Sequence, residues 1–240
     1  MQYQRGSIGL FFRGDPTLLG WWDFEQGSTD KTGHGYNGID TAVTYSPLNN
    51  KFGQAGLFDG SSSKIILPIN PSTQLSGDFT VMAFALSTAA NLDDWKPVIG
   101  DSGVYAWTFG GVSGNQAQLF VNFCGAYNNA INLPTPLNDR RWHHIAVVKS
   151  GSNLFVYHNG IYIISLSGAT GPAPTGSRIG ENDRANPEYW KGAIDEVAIF
   201  SRALSPQEIA QYYKWATSPR PKYTLMHLPT PSSFFLFFNN

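Results

Sequence analysis

Short runs of alternating large and small or apolar and polar side chains dominate residues 18–200, separated by Gly, Asn, Ser and Pro. Phe79-Thr80-Val81-Met82-Ala83-Phe84-Ala85-Leu86 and Gln118-Leu119-Phe120-Val121-Asn122-Phe123 both read as strands. The clearest segment is Trp142-His143-His144-Ile145-Ala146-Val147-Val148-Lys149, then Ser150-Gly151-Ser152-Asn153 and Leu154-Phe155-Val156-Tyr157-His158. Asn159-Gly160 supplies the positive φ angles of a two-residue turn before Ile161–Leu166, so a three-stranded meander is predicted. Many short strands at this spacing predict an all-β, two-sheet antiparallel sandwich.

One helix interrupts the pattern. Ser205-Pro206-Gln207-Glu208 is a capping box with proline at the first helical position, and Leu204 and Ile209 are placed for a hydrophobic staple. The helix is expected to reach about Lys214, turn Ile209, Tyr212 and Tyr213 inward, and close the sandwich. Residues 1–17 read as an N-terminal arm or strand, 18–216 as the sandwich domain, and 217–240 as a Pro-rich, Phe-ended arm. Phe234, Phe235, Phe237 and Phe238 would be an aggregation hazard in solvent, so they are expected to dock on a partner subunit or plug the chain's own core.

Composition agrees with this picture. Charged residues are 14% of the 240, aromatics 14%, and there are 25 glycines and 15 prolines. A formal net charge of −1 argues against a nucleic-acid groove, which needs clustered Lys and Arg. Cys124 stands alone, so an intrachain disulfide and a cysteine-built zinc site are excluded; it reads as a small buried hydrophobe. No run approaches a membrane span, and the short apolar stretch at 8–12 does not read as a secretion signal. A location on a virion or an extracellular surface is the expectation.

Six stretches in order resemble the laminin-G-like, concanavalin-A-like jelly roll over roughly 18–215. They are Leu19-Gly20-Trp21-Trp22-Asp23-Phe24-Glu25, Asp30–Gly38, Gly53–Gly60, Phe79-Thr80-Val81, the Trp142–Ala146 meander, and Gly192-Ala193-Ile194-Asp195-Glu196-Val197 through Ser205. The resemblance implies a concanavalin-A-like fold whose first and last strands meet in one sheet. It also implies one structural calcium ion, for which Asp23, Asp30, Gly60 and Asp195 match; as an alternative, Asp30 and Asp59 are turn formers and Asp195 pairs with a nearby donor.

Sugar recognition pairs exposed aromatics with amides and carboxylates. The candidates in predicted loops are Trp95, Trp107, Tyr127, Asn128, Asp183, Tyr189 and Trp190, whereas Trp21, Trp22 and Trp142 read as packing anchors. Hydrolysis would need two facing carboxylates; Glu181-Asn182-Asp183-Arg184-Ala185-Asn186 comes nearest but lacks the final acid. Adjacent His143 and His144 point to opposite strand faces, and His144 is expected to be a hydrogen-bonded core histidine. The expected function is therefore non-enzymatic: a lectin-like module recognising surface glycans, a homo-oligomer on a phage particle or other assembly. The alternatives are a purely structural virion or capsid subunit and, more distantly, a glycan hydrolase or lyase.

Overall fold

The computed structural model describes residues 8–47, 52–89, 96–101, 107–112, 115–171, 176–182 and 186–218. The elements begin with α1 (Ile8–Phe11), β1 (Leu18–Trp22), β2 (Glu25–Ser28), β3 (Ile39–Thr41), β4 (Thr44–Ser46), β5 (Ala55–Asp59) and β6 (Lys64–Leu67). After α2 (Pro71–Gln74) come β7 (Phe79–Ser87), β8 (Lys96–Asp101), β9 (Trp107–Val112), β10 (Asn115–Phe123) and β11 (Ala126–Asn132). The meander is β12 (His143–Ser150), β13 (Asn153–His158) and β14 (Ile161–Ser167); β15 (Ser177–Ile179), β16 (Lys191–Phe200) and α3 (Pro206–Thr217) follow.

Two antiparallel sheets result. The larger runs β14-β13-β12-β7-β16-β5-β4 with β1 also paired to β16, and the smaller runs β11-β10-β9-β8-β15-β6-β3. The Asn159-Gly160 turn takes φ of 52° and 75°, as the dipeptide predicts. First and last strands do meet: Trp22 pairs with Val197 and Leu18 with Phe200.

Two apolar layers explain the nearly unbroken hydrophobicity of β7. Phe79, Val81, Ala83 and Ala85 face the core that also takes Trp22, Val121, Phe123, Ile145, Val147 and Trp190. Met82 and Phe84 face the opposite way, into a second layer with Ile8, Phe12, Trp21, Phe200, Ile209 and Tyr212. A strand covered on both faces has no solvent side to keep polar.

Three expectations are corrected. Helix α3 does not close the space between the sheets; it lies on the outer face of the larger one, where Ile209, Tyr212 and Ala216 are buried. Its capping box forms as predicted, with the Ser205 side chain accepting from the Glu208 backbone. Residues 8–11, expected in an arm or strand, make one helical turn because their apolar side chains fill the same outer layer. His144 is wholly buried, yet neither ring nitrogen has a hydrogen-bond partner; it sits among Phe84, Tyr212 and Tyr213. Cys124 is buried in the inter-sheet core. Among the described residues no helix is long and apolar enough to cross a membrane. Phe234, Phe235, Phe237 and Phe238 lie outside the described residues.

Candidate functional site

Strand β16 is shared unequally along one edge. Residues Lys191–Ile194 pair with β5 and Val197–Phe200 with β1. Between them the register against β7 slips, and Glu196 takes a φ of 50°. Asp195 and Glu196 sit at this bulge and are both buried, as is every residue of β16 from Gly192 to Phe200. One Glu196 oxygen accepts from the Trp21 indole N–H at 2.8 Å and from the Ile8 backbone N–H at 2.8 Å. Burial, and then the neighbouring Asp195, push the Glu196 carboxyl well above the ordinary carboxylate range.

Those two bonds fix a wall and the floor of an open cleft of about 490 Å³. Its lining comes from α1 and the turn after it (Gly9, Phe12, Arg13, Gly14, Asp15 and Pro16), from β1 (Leu18 and Trp21), and from the 31–34 turn (Lys31, Thr32 and His34). Gly9 is required by closeness: a Cβ there would come within 2.0 Å of the Trp21 ring. Trp21 and Phe12 are only 4% and 7% exposed, so little ring surface faces the space.

The polar rim is largely committed already. Asp15 Oδ1 accepts from the backbone N–H and hydroxyl of Thr17, and Oδ2 from Arg202 Nη2 at 2.6 Å and Nε at 3.2 Å. Burial alone would raise the Asp15 carboxyl, but its bonds to Arg202 and Thr17 prevail and hold it below the ordinary range. Thr32 donates its hydroxyl to Asp30, and His34 Nδ1 lies 2.9 Å from the Leu19 carbonyl. Lys31 reaches Asp23 at 3.5 Å and Gln26 at 3.1 Å. Arg13 is exposed and has no hydrogen-bond or ion-pair partner among the described residues.

Of the residues singled out for sugar contact, Asn128, Tyr189 and Trp190 are described with their side chains, and they do not line this cleft. Trp107 on β9 pairs with Phe123 and Tyr127 on β11 with Asn122, so β10 brings these two within one register step. Their side chains, and all of Trp95 and Asp183, lie outside the described residues. Asn128 is half-buried and turns its carbonyl back onto the Ala130 N–H. Tyr189 is half-buried opposite Glu181. Trp190 is a correction: at 1% exposure its ring is part of the inter-sheet core and offers no platform. No motif pointed to the cleft, because Trp21 reads as an anchor and the lining is drawn from separate segments.

The four calcium candidates have other partners in this structure. Asp30 already accepts from the backbone N–H groups of Trp21, Thr32 and Tyr36. Asp195 accepts from Phe52 and Glu196, and Asp23 faces Lys31. A Cβ at Gly60 would meet the Lys191 side chain, and among the described residues no three His, Cys, Asp or Glu side chains gather in one place. Asp59 accepts from the backbone N–H groups of Ser61, Ser62 and Ser63, the turn-forming role. Glu181, the nearest approach to a catalytic acid, is buried against Arg178 at 3.0 Å and Lys64 at 3.6 Å. His143 and His144 do point to opposite faces: His143 bridges His158 and Asp139 in a buried hydrogen-bonded row.

The family model described as the concanavalin A-like lectin/glucanases superfamily matches residues 59–210. No curated protein matches the sequence. Among solved structures, domain 4 of an extracellular GH43 arabinanase from Geobacillus stearothermophilus, in complex with arabinotriose, is 19% identical with a TM-score of 0.64. The match covers 82% of this chain and 98% of that one. The binding domain of Paraclostridial Mosquitocidal Protein 1 is 16% identical with a TM-score of 0.63, over 82% of this chain and 52% of the other. A botulinum neurotoxin type C structure, concerned with cell entry through two ganglioside molecules, is 16% identical with a TM-score of 0.59 over 84% and 52%. The chain thus spans about half the length of the toxin structures it matches.

Proposed function

The chain belongs to the concanavalin A-like lectin/glucanases superfamily, and from that premise we propose that it is a non-catalytic glycan-binding module. The carrying observation is the cleft between α1 and the 31–34 turn. Its volume of about 490 Å³ suits one or a few sugar units, and donors line its rim. Among the described lining residues Asp15 is the single carboxylate, and it is saturated by Arg202 and Thr17, so these residues offer no carboxylate pair for glycosidic cleavage. Two structurally similar proteins supply context: the arabinanase domain was solved with arabinotriose, and the type C neurotoxin enters cells through gangliosides.

A glycan array followed by calorimetric titration tests the reading. Selective binding is expected, weakened in a Lys31→Ala/His34→Ala double variant. A blank array over diverse neutral and acidic oligosaccharides overturns it, and release of reducing ends from a bound oligosaccharide overturns its non-catalytic part.

A further inference from the structure

Resting on the glycan-binding reading, we infer that the sugar taken by the cleft carries an acidic group, a carboxylate or a sulfate ester. The hydrogen-bonding groups that remain available in the lining are mostly donors. A neutral sugar presents hydroxyls that both donate and accept, so its site needs protein acceptors as well as donors. The carboxylate and hydroxyl acceptors of the lining are spent, which leaves His34 Nε2, opposite the Nδ1 that donates to the Leu19 carbonyl, as the one side-chain acceptor still open among the described residues. Asp15 receives four bonds, two on each oxygen. The Thr32 oxygen receives the His34 backbone N–H while its own proton goes to Asp30.

The donors are in surplus. The exposed Arg13 guanidinium offers five N–H groups and has no partner among the described residues. Lys31 holds only Asp23 at 3.5 Å and one amide oxygen, leaving ammonium donors over. The aromatic surface that would stack on an apolar sugar face is largely covered, since Trp21 and Phe12 are 4% and 7% exposed and the Trp21 N–H is held by Glu196. A rim rich in donors, poor in free acceptors and short of stacking surface matches an acceptor-only group. A guanidinium meets a carboxylate or sulfate with two parallel bonds.

The experiment titrates the full chain with trigalacturonate, its methyl ester, a sulfated chondroitin oligosaccharide, and inorganic sulfate and phosphate alone. The free acid or the sulfated sugar is expected to bind at least about tenfold more tightly than the ester. That preference should shrink in about 0.5 M NaCl, where exposed charges are screened. Arg13→Gln should reduce acid binding to the level of the ester at an unchanged melting temperature, and Lys31→Gln should act in the same direction. Equal affinity for acid and ester, or an acid preference untouched by Arg13→Gln, overturns the acidic-sugar inference while leaving the glycan reading standing. Inorganic anion binding as tightly as the sugars overturns the sugar as the anion's carrier. No binding of any sugar overturns both readings.

Discussion

The Trp21 indole N–H donates to the buried carboxyl of Glu196 at 2.8 Å, joining the first strand of the larger sheet to its last. The same oxygen takes the backbone N–H of Ile8, so one carboxyl oxygen holds both the floor of the cleft and the helical turn that walls it.

Removing that oxygen leaves two buried donors unmet. Glu196→Ala is expected to destabilise the fold by about 3 kcal/mol, each buried unpaired donor costing about 1–3 kcal/mol. Glu196→Gln retains an accepting oxygen and is expected to fold well. It should also remove a pH dependence. Because burial raises this carboxyl in the folded state, folding binds a proton that the unfolded chain releases above its ordinary pKa. Stability therefore declines in the wild type as pH rises above the ordinary carboxylate range, and this slope flattens in Glu196→Gln. Urea denaturation across pH measures both; parallel slopes in the two proteins would contradict the assignment.

His144 produces the opposite limb. Burial, then the nearby His158, push its ring down to about 3, so it stays neutral where an unfolded histidine is protonated. Here the unfolded state binds the extra proton, and stability falls as pH drops from about 6.5 toward about 3. His144→Phe keeps the ring among Phe84, Tyr212 and Tyr213 and removes two unpartnered nitrogens. A gain of about 1 kcal/mol and a shallower acid limb are expected in thermal melts. A loss of stability would show that the nitrogens are satisfied.

Gly9 tests the seating of α1. Alanine normally favours a helical position, but here its Cβ would meet three Trp21 ring carbons within 2.9 Å. Gly9→Ala is expected to cost about 2 kcal/mol, as overpacking does, and to weaken ligand binding in the same preparation. Increased stability would mean that the turn does not rest on the indole.

Ser205→Ala removes the cap of α3 and should cost about 1 kcal/mol. Glu208 also binds Arg202, which in turn binds Asp15 on the cleft rim. Glu208→Gln is accordingly expected to alter ligand affinity through the freed guanidinium, measured beside a melting temperature that moves little because all three side chains are partly exposed.

Local chemistry explains how much of this was legible in the sequence. Asn159-Gly160 and the Ser205–Glu208 box each encode their geometry within a few residues, so the meander and α3 were readable directly. The turn at Ile8–Phe11 has no such local code; four apolar residues become helical because an acid near the far end of the chain takes one of their N–H groups. Asp195-Glu196 within an apolar strand resembled a ligand carboxylate, since nothing in the tetrapeptide Ile-Asp-Glu-Val announces a bulge. The cleft was invisible because its lining is gathered from separate short segments: Arg13 precedes β1, and Lys31 is brought to Trp21 by a backbone N–H bond of 2.8 Å that no motif announces.

The span between Trp21 and its acceptor is 175 residues. A ribosome delivers the carboxyl long after the indole, so the cleft cannot be held in this form on a nascent chain until most of both sheets has already been synthesised. A product stalled before Asp195 would hold much of the strand inventory yet lack the carboxyl that seats Trp21 and α1, which makes ligand capture a reporter of completed translation through the final strand described for the larger sheet.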